Sequence, residues 1–293
     1  MSDRGLLSSL RFLFADFIGE DNDTPLLLPD GLPAAVMPVA SDAVHRLIDY
    51  QGTGYAALYL DRLRRFVGRP GVDDAMLIEI ARLMADRMSY EDPIRIAQLK
   101  LAERDVASGR YLTPSVDIRK FRADELIGVL PAAVAGPLLD VLEWLGRTHK
   151  PVSIRFSTAS RVGIRRLKIE AGLRRWRLLS VRYARERVLV ERWLHMISRS
   201  LAKQPAAAPA ILQSAAMIHG YGDVYRQGIA DWNAIIDGLA KPTFDGALIL
   251  PDLGDAVAEA RAAAMPDPRQ VTLKRKIAEI RARAPAGSPV AVE

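Results

Sequence analysis

SDAVHRLIDYQGTGYAALYLDRL, running from Ser41 to Leu63, decides the fold. Its apolar side chains Val44, Leu47, Ile48, Tyr55, Leu58, Tyr59 and Leu63 return every three or four residues, the spacing that gathers them on one face of a helix. Ser41 is placed to cap the first turn. Gly52 and Gly54 are weak points, so one long, kinked helix is expected as far as Gly68 and Pro70. The same period continues outward. It predicts a helix over 72–88 on Met76, Leu77, Ile80, Leu83 and Met84. Another opens at Asp92, with Pro93 at the first helical position, where its missing N–H costs nothing.

Beyond a loop at Gly109 to Pro114 with room for an extended stretch, a short helix is expected over 123–130, stopped by Pro131. A further helix starts at Gly136 and Pro137 and reaches Thr148. PVSIRF (151–156) alternates with β-branched residues and is the best candidate strand. Residues 159–201 are helical with an interruption at 172–178, and 210–218 form a helix that Gly220 and Gly222 end. Asp223 then caps a helix to about Leu239, and two amphipathic helices cover 255–264 and 268–283. The expected fold is therefore all-α, a bundle of about ten helices with at most one short strand pair. Residues 1–40 read as an N-terminal helix and extended lead-in, and 41–240 as the helical body, with a seam near 150. Residues 241–293 read as a connector, the two amphipathic helices and a mobile tail.

At 293 residues, 49% hydrophobic and 26% charged, the chain can bury one large core or two smaller ones. It contains no cysteine, which excludes disulfides, thiolate zinc sites and cysteine-ligated iron–sulfur clusters within it. The opening MSDRGLLSSLRFLF lacks the order of a secretory signal and has helical spacing instead. The most apolar stretch, Leu126 to Leu145, is broken by Pro131 and Pro137 and carries Asp140 and Glu143, which a membrane span would not tolerate cheaply. A soluble, cytoplasmic protein with no membrane partner is expected.

Familiar catalytic patterns do not occur. There is no GxGxxG or GxxxxGKS phosphate cradle, and the nearest text to a thiamine GDG motif is Gly220-Tyr221-Gly222-Asp223. His45, His149, His195 and His219 are far apart and none lies in an HExxH spacing. No serine sits in a GxSxG turn. The adjacent carboxylates Glu91 and Asp92 are explained by a helix entrance, where negative charge meets unpaired N–H groups.

Charge, by contrast, is concentrated. The chain carries a net +6, yet the segment from Arg161 to Arg192 alone carries +8, from eleven basic residues against Glu170, Glu186 and Glu191. Ten of the eleven are arginine, the side chain suited to bidentate contacts with carboxylates and phosphates. Arg161, Arg165, Arg166, Lys168, Arg174, Arg175, Arg177 and Arg182 are the candidate partner or phosphate contacts. One reading is a solvated helical face with internal ion pairs to helices bearing Asp73, Asp74, Asp124 and Glu125. Another is a docking face for an acidic protein or a phosphate-bearing ligand such as coenzyme A. Nucleic acid ranks third, because no recognised binding motif accompanies the charge. The turn Gly220, Tyr221, Gly222 and Asp223, with Arg226 beyond it, is either an anion-holding glycine turn or a helix end followed by a helix start.

Five stretches, taken together and in order, carry a family resemblance: LIDYQGTGYAALYLDRL (Leu47–Leu63), RMSYEDPIRIAQLK (Arg87–Lys100), RLKIEAGLRRWR (Arg166–Arg177), ERWL (Glu191–Leu194) and IHGYGDVYRQG (Ile218–Gly228). They resemble the helical C-terminal region of the long, fused form of the indolepyruvate ferredoxin oxidoreductase beta subunit, over roughly residues 42–240. The resemblance implies membership of a 2-oxoacid oxidoreductase system that converts aryl pyruvates to aryl-acetyl coenzyme A and passes electrons to ferredoxin. Thiamine diphosphate, Mg²⁺ and iron–sulfur clusters are then expected on a large partner subunit. The glycine-rich α/β domain that precedes the helical region in the fused form does not occur in this sequence. His219 stands where the family carries lysine, and the paired basic residues after the turn are reduced to Arg226 and Gln227. A chain without a cofactor motif cannot hold the thiamine carbanion or carry the electrons itself. The expectation is an accessory subunit or domain with no catalytic centre of its own, packing on the thiamine-dependent partner and offering its basic face to ferredoxin or coenzyme A. The rivals are an independent enzyme with a pocket between helices and a nucleic-acid-binding helical module.

Overall fold

The computed structural model describes residues 28–107, 116–264 and 267–285. The expected N-terminal helix, the Gly109–Pro114 loop and the tail beyond Pro285 lie outside them. The fold is all-α, with a single pair of short antiparallel strands among the described residues. The chain divides into two compact units. One comprises the chain up to Arg65 together with Met88–Val188, and the other Phe66–Arg87 together with Leu189 onward. Residue 150, where the composition shifts, lies inside the first unit.

The first unit opens with α1 (Met37–Tyr50) and α2 (Thr53–Arg64). These replace the single kinked helix expected from the period. Gly52 adopts φ 130, a conformation that L side chains rarely enter, and the hydrogen-bond ladder is interrupted there. Ser41 does not cap: α1 begins earlier, with Pro38 in its first turn, where no N–H is missed. The apolar period is nonetheless the buried face, since Val44, Leu47, Tyr55, Tyr59 and Leu63 are all core residues. α3 (Asp74–Met88) belongs to the second unit up to Arg87. α4 (Pro93–Ala107) starts as expected, with Asp92 Oδ1 accepting from the Arg95 backbone N–H at 2.6 Å.

β1 (Val116–Arg122) pairs antiparallel with β2 (Pro151–Ser157), in a register that sets Val116 opposite Ser157 and Arg122 opposite Pro151. β2 matches the expected strand. The partner β1, VDIRKFR, is not marked by the sequence period, because only Phe121 of its seven residues is buried. Phe121 and Phe156 meet edge to face at 6.4 Å and form the sheet's small core. Between the strands lie α5 (Ala123–Gly128) and α6 (Ala132–Trp144). Pro137 sits inside α6 and does not start it. Ala133 and Pro137 both face solvent, so water can satisfy the carbonyl that the proline ring leaves without a donor.

α7 (Arg161–Gly172) lies along α4. A 3₁₀ segment, Leu173–Leu179, follows at the expected interruption, and α8 (Val181–Lys203) then carries the chain out of the first unit. The second unit holds α9 (Ala208–Gln213), α10 (Gly222–Ile235), a π-helical turn (Ile236–Ala240), α11 (Lys241–Phe244), α12 (Leu253–Ala263) and α13 (Val271–Arg283). α11 extends helix into what the sequence suggests is connector, helped by the Thr243 hydroxyl donating to the Leu239 carbonyl at 2.7 Å. The core of this unit is built on Trp193 and Trp232, whose indole N–H groups donate to the Leu212 carbonyl at 3.2 Å and to Ser214 Oγ at 2.9 Å. No helix among the described residues is long and apolar enough to cross a membrane.

Candidate docking surface

The basic segment separates into an inner and an outer set, and the 3₁₀ segment makes the separation. Arg177 points inward and is 1% exposed. Its Nε donates to Asp92 Oδ2 at 2.8 Å and one terminal nitrogen to Oδ1 at 3.0 Å, a two-point fork on one carboxylate. The other terminal nitrogen donates to the Tyr50 carbonyl at 2.8 Å and to Gln51 Oε1 at 3.0 Å, and the guanidinium lies 4.0 Å from the centre of the Tyr50 ring. Gln51 Nε2 returns to the Arg174 carbonyl at 2.8 Å. Each nitrogen of the buried cation thus donates at least one hydrogen bond, as burial of a charge requires. Burial alone would lower the Arg177 pKa, but Asp92, by charge and hydrogen bonds, raises it above the ordinary arginine value, so the cation is permanent.

Around this pair sit tyrosines that burial holds neutral. Tyr50 donates to the Tyr90 carbonyl at 3.2 Å and Tyr55 to the Met88 carbonyl at 3.0 Å. Burial pushes the phenols of Tyr50, Tyr55 and Tyr90 well above their ordinary value. Arg95 closes the cluster from outside, bonded to Asp49 at 2.6 Å. The arrangement is a permanent anchor. It fixes the 3₁₀ segment to the α1–α2 junction and to the start of α4.

Arg182 also belongs to the inner set, with Nε 2.8 Å from the buried Glu186 and its guanidinium 5.4 Å from the centre of the Tyr90 ring. Arg177 and Arg182 are therefore corrected from surface contacts to internal ones. Internal ion pairing is real: Arg177 pairs with Asp92 and Arg182 with Glu186.

The outer set lies on α7 and the segment after it. Ser160 caps α7 by accepting from the Gly163 N–H at 3.0 Å, and Leu167 is its buried contact. Arg161, Arg165, Arg166, Lys168 and Arg175 are exposed and Arg174 is half-buried. Arg166 pairs with Glu170 at 2.7 Å. Between the cations runs an apolar stripe the charge count hides: Val162 is 79% exposed, Ile169 62% and Trp176 51%, with Leu173 also exposed. Helical spacing sets Arg161, Arg165 and Lys168 along one side of that stripe and Arg166 on the other.

A second exposed feature of the same unit escapes sequence reasoning. α6 buries Ala135, yet Val134, Leu138, Val141 and Leu145 are exposed at spacings of four, three and four, beside Trp144 at 84%. Asp140 and Glu143 lie on a different side of α6 from this row. The signal that marks it is a strongly apolar helix too short and too interrupted to be the centre of a large core. Such a stripe is larger than a scatter of single surface hydrophobics requires.

The glycine turn lies in the other unit. Gly220 and Gly222 adopt left-handed φ of 69 and 65, which explains both glycines as the break before α10. Tyr221 is the N-cap position and Asp223 falls in the first turn, so Asp223 is not the cap. Arg226 lies 3.7 Å from Asp223. Among the described residues no group of three or more His, Asp or Glu side chains could hold a metal ion. With cysteine absent from the sequence, the chain offers no thiolate to ligate an iron–sulfur cluster.

No curated protein and no solved structure matches the chain. A family of unknown function, DUF6537, matches residues 36–238. That span begins at the first turn of α1, takes in α6, α7 and the Asp92–Arg177 anchor, and reaches the π-helical turn, so by far the greater part of the chain belongs to one family: this is a member of DUF6537.

Proposed function

We propose that this chain is a non-catalytic accessory subunit or domain of a cytoplasmic arylpyruvate ferredoxin oxidoreductase system. It packs on a thiamine-dependent partner through the exposed stripe of α6 and offers the α7 ridge to a carrier. The observation that carries the reading is the pairing of two helices that each expose an apolar row with a buried, ion-paired anchor. The chain invests its buried charge in holding surfaces and not in a reactive site. The sequence resemblance supplies the system; the surfaces supply the role. Thiamine diphosphate, Mg²⁺ and iron–sulfur clusters belong to the partner on this reading.

Affinity purification of the tagged chain from its host, followed by thiochrome detection of thiamine in the eluate, tests it. Thiamine is expected with the wild-type chain and is expected to disappear with Val141→Asp. An eluate without thiamine, or one dominated by nucleic acid absorbance, contradicts the proposal.

A further inference from the structure

The α7 ridge is built for a particular kind of occupant. We infer that it receives an acidic amphipathic helix of a partner protein, and not a phosphate ligand or a nucleic acid. The inference rests on the docking role proposed above, but it does not depend on which thiamine enzyme is the partner.

Three observations carry it. First, the exposed row is aliphatic along α7 and into the segment after it, with Val162, Ile169 and Leu173 following one another at helical spacing, and a single aromatic, Trp176, stands at its end with no second ring to make a stacking platform. Aliphatic side chains neither stack on bases nor bind phosphate, whereas an amphipathic helix buries its own apolar stripe against just such a row. Second, the cations form a flank and not a cluster. Arg161, Arg165 and Lys168 recur at spacings of four and three along one side, matching carboxylates spaced by helical turns on a partner. Third, the arginines that could have converged on a compact anion are committed elsewhere, Arg177 to Asp92, Arg182 to Glu186 and Arg166 to Glu170. What remains on α7 is a line of charge beside a line of apolar surface, with Arg174 and Arg175 beyond its end.

The test uses the full chain and a labelled synthetic peptide of about five helical turns, with leucines at spacings of three and four and glutamates beside them. Fluorescence anisotropy is expected to show binding that weakens with salt and that is lost when the same residues are reordered so that the leucines alternate. Ile169→Asp and Arg165→Glu are each expected to weaken binding by about tenfold or more. Val271→Asp, on an exposed position of the other unit, should leave it unchanged. Coenzyme A and a single-stranded RNA are titrated in parallel. Failure of the peptide to bind overturns the inference. So does peptide binding that both ridge variants leave intact, or preferential binding of coenzyme A or RNA that those variants abolish. None of these outcomes bears on whether a thiamine enzyme copurifies with the chain.

Discussion

Replacing Asp92 by asparagine separates the two roles that one carboxylate performs. The amide oxygen of an asparagine at this position can still accept from the Arg95 N–H and cap α4, so the cap is retained. The fork to Arg177 is not. A guanidinium that is 1% exposed keeps one arm to that amide oxygen, the Tyr50 carbonyl and Gln51 as partners, but loses its counter-charge and meets the amide NH₂ at Nε. Removing one member of a buried pair costs about 3–5 kcal/mol, because the remaining charge is still desolvated. The surviving acceptors and the Tyr50 ring place Asp92→Asn near the lower end, about 3 kcal/mol. Asp92→Ala adds the lost cap, about 1 kcal/mol more. Arg177→Met should cost a similar amount, about 3 kcal/mol, since it strands the carboxylate instead. The double variant Asp92→Asn, Arg177→Met buries no unpaired charge and is expected to cost no more than about 3 kcal/mol, leaving a coupling of about 3 kcal/mol. Urea unfolding followed by circular dichroism measures the cycle, and hydrogen exchange of the Leu173–Leu179 amides reads the anchor locally. Single variants that each cost under about 1 kcal/mol, with additive double behaviour, would refute the assignment of Asp92 and Arg177 as the anchor.

Three other perturbations follow from the same packing. Tyr50, Tyr55 and Tyr90 have folded pKa values raised above the ordinary 10.0, so their contribution is intact below that value and is lost as pH rises beyond it. Tyrosinate absorbance from them should appear only with unfolding, and a smooth titration with retained helicity would count against their burial. A Cβ at Gly163 would lie 2.4 Å from the Ser157 carbonyl oxygen, and one at Gly228 2.2 Å from that of Met217. Gly163→Ala and Gly228→Ala should each lower stability by about 1–3 kcal/mol in thermal unfolding, and neutral variants would show that these backbones do not approach so closely. On α6, Val141→Ser and Trp144→Ser remove exposed side chains and should change stability by no more than about 0.5 kcal/mol while reducing binding of a hydrophobic dye. A loss of several kcal/mol would place the stripe in a core.

Local signals were readable in the sequence, and long-range partnerships were not. Asp92 followed by Pro93 announces a helix start because capping depends only on neighbouring residues, and the interruption at 172–178 shows in the broken period. Gly52 reads as a weak point, but a kink and a complete break look alike until φ is known. β1 has no alternating apolar face to betray it, because its pairing with β2 is mostly solvent-exposed. The pairing of Asp92 with Arg177 spans 85 residues and leaves no periodic trace. The basic count therefore could not distinguish the buried arginine from its exposed neighbour Arg175. Likewise, the apolar excess of α6 could not be separated from core composition without knowing what covers the helix.

On the proposed function, this chain supplies surfaces while another protein supplies the chemistry. The direct measurement is arylpyruvate-dependent reduction of an electron acceptor, run with the purified chain alone, with the isolated thiamine-dependent partner, and with the two combined. No turnover is expected of the chain alone, and a faster rate is expected of the combination than of the partner by itself. Turnover of an arylpyruvate by the chain in the absence of any other protein would contradict it.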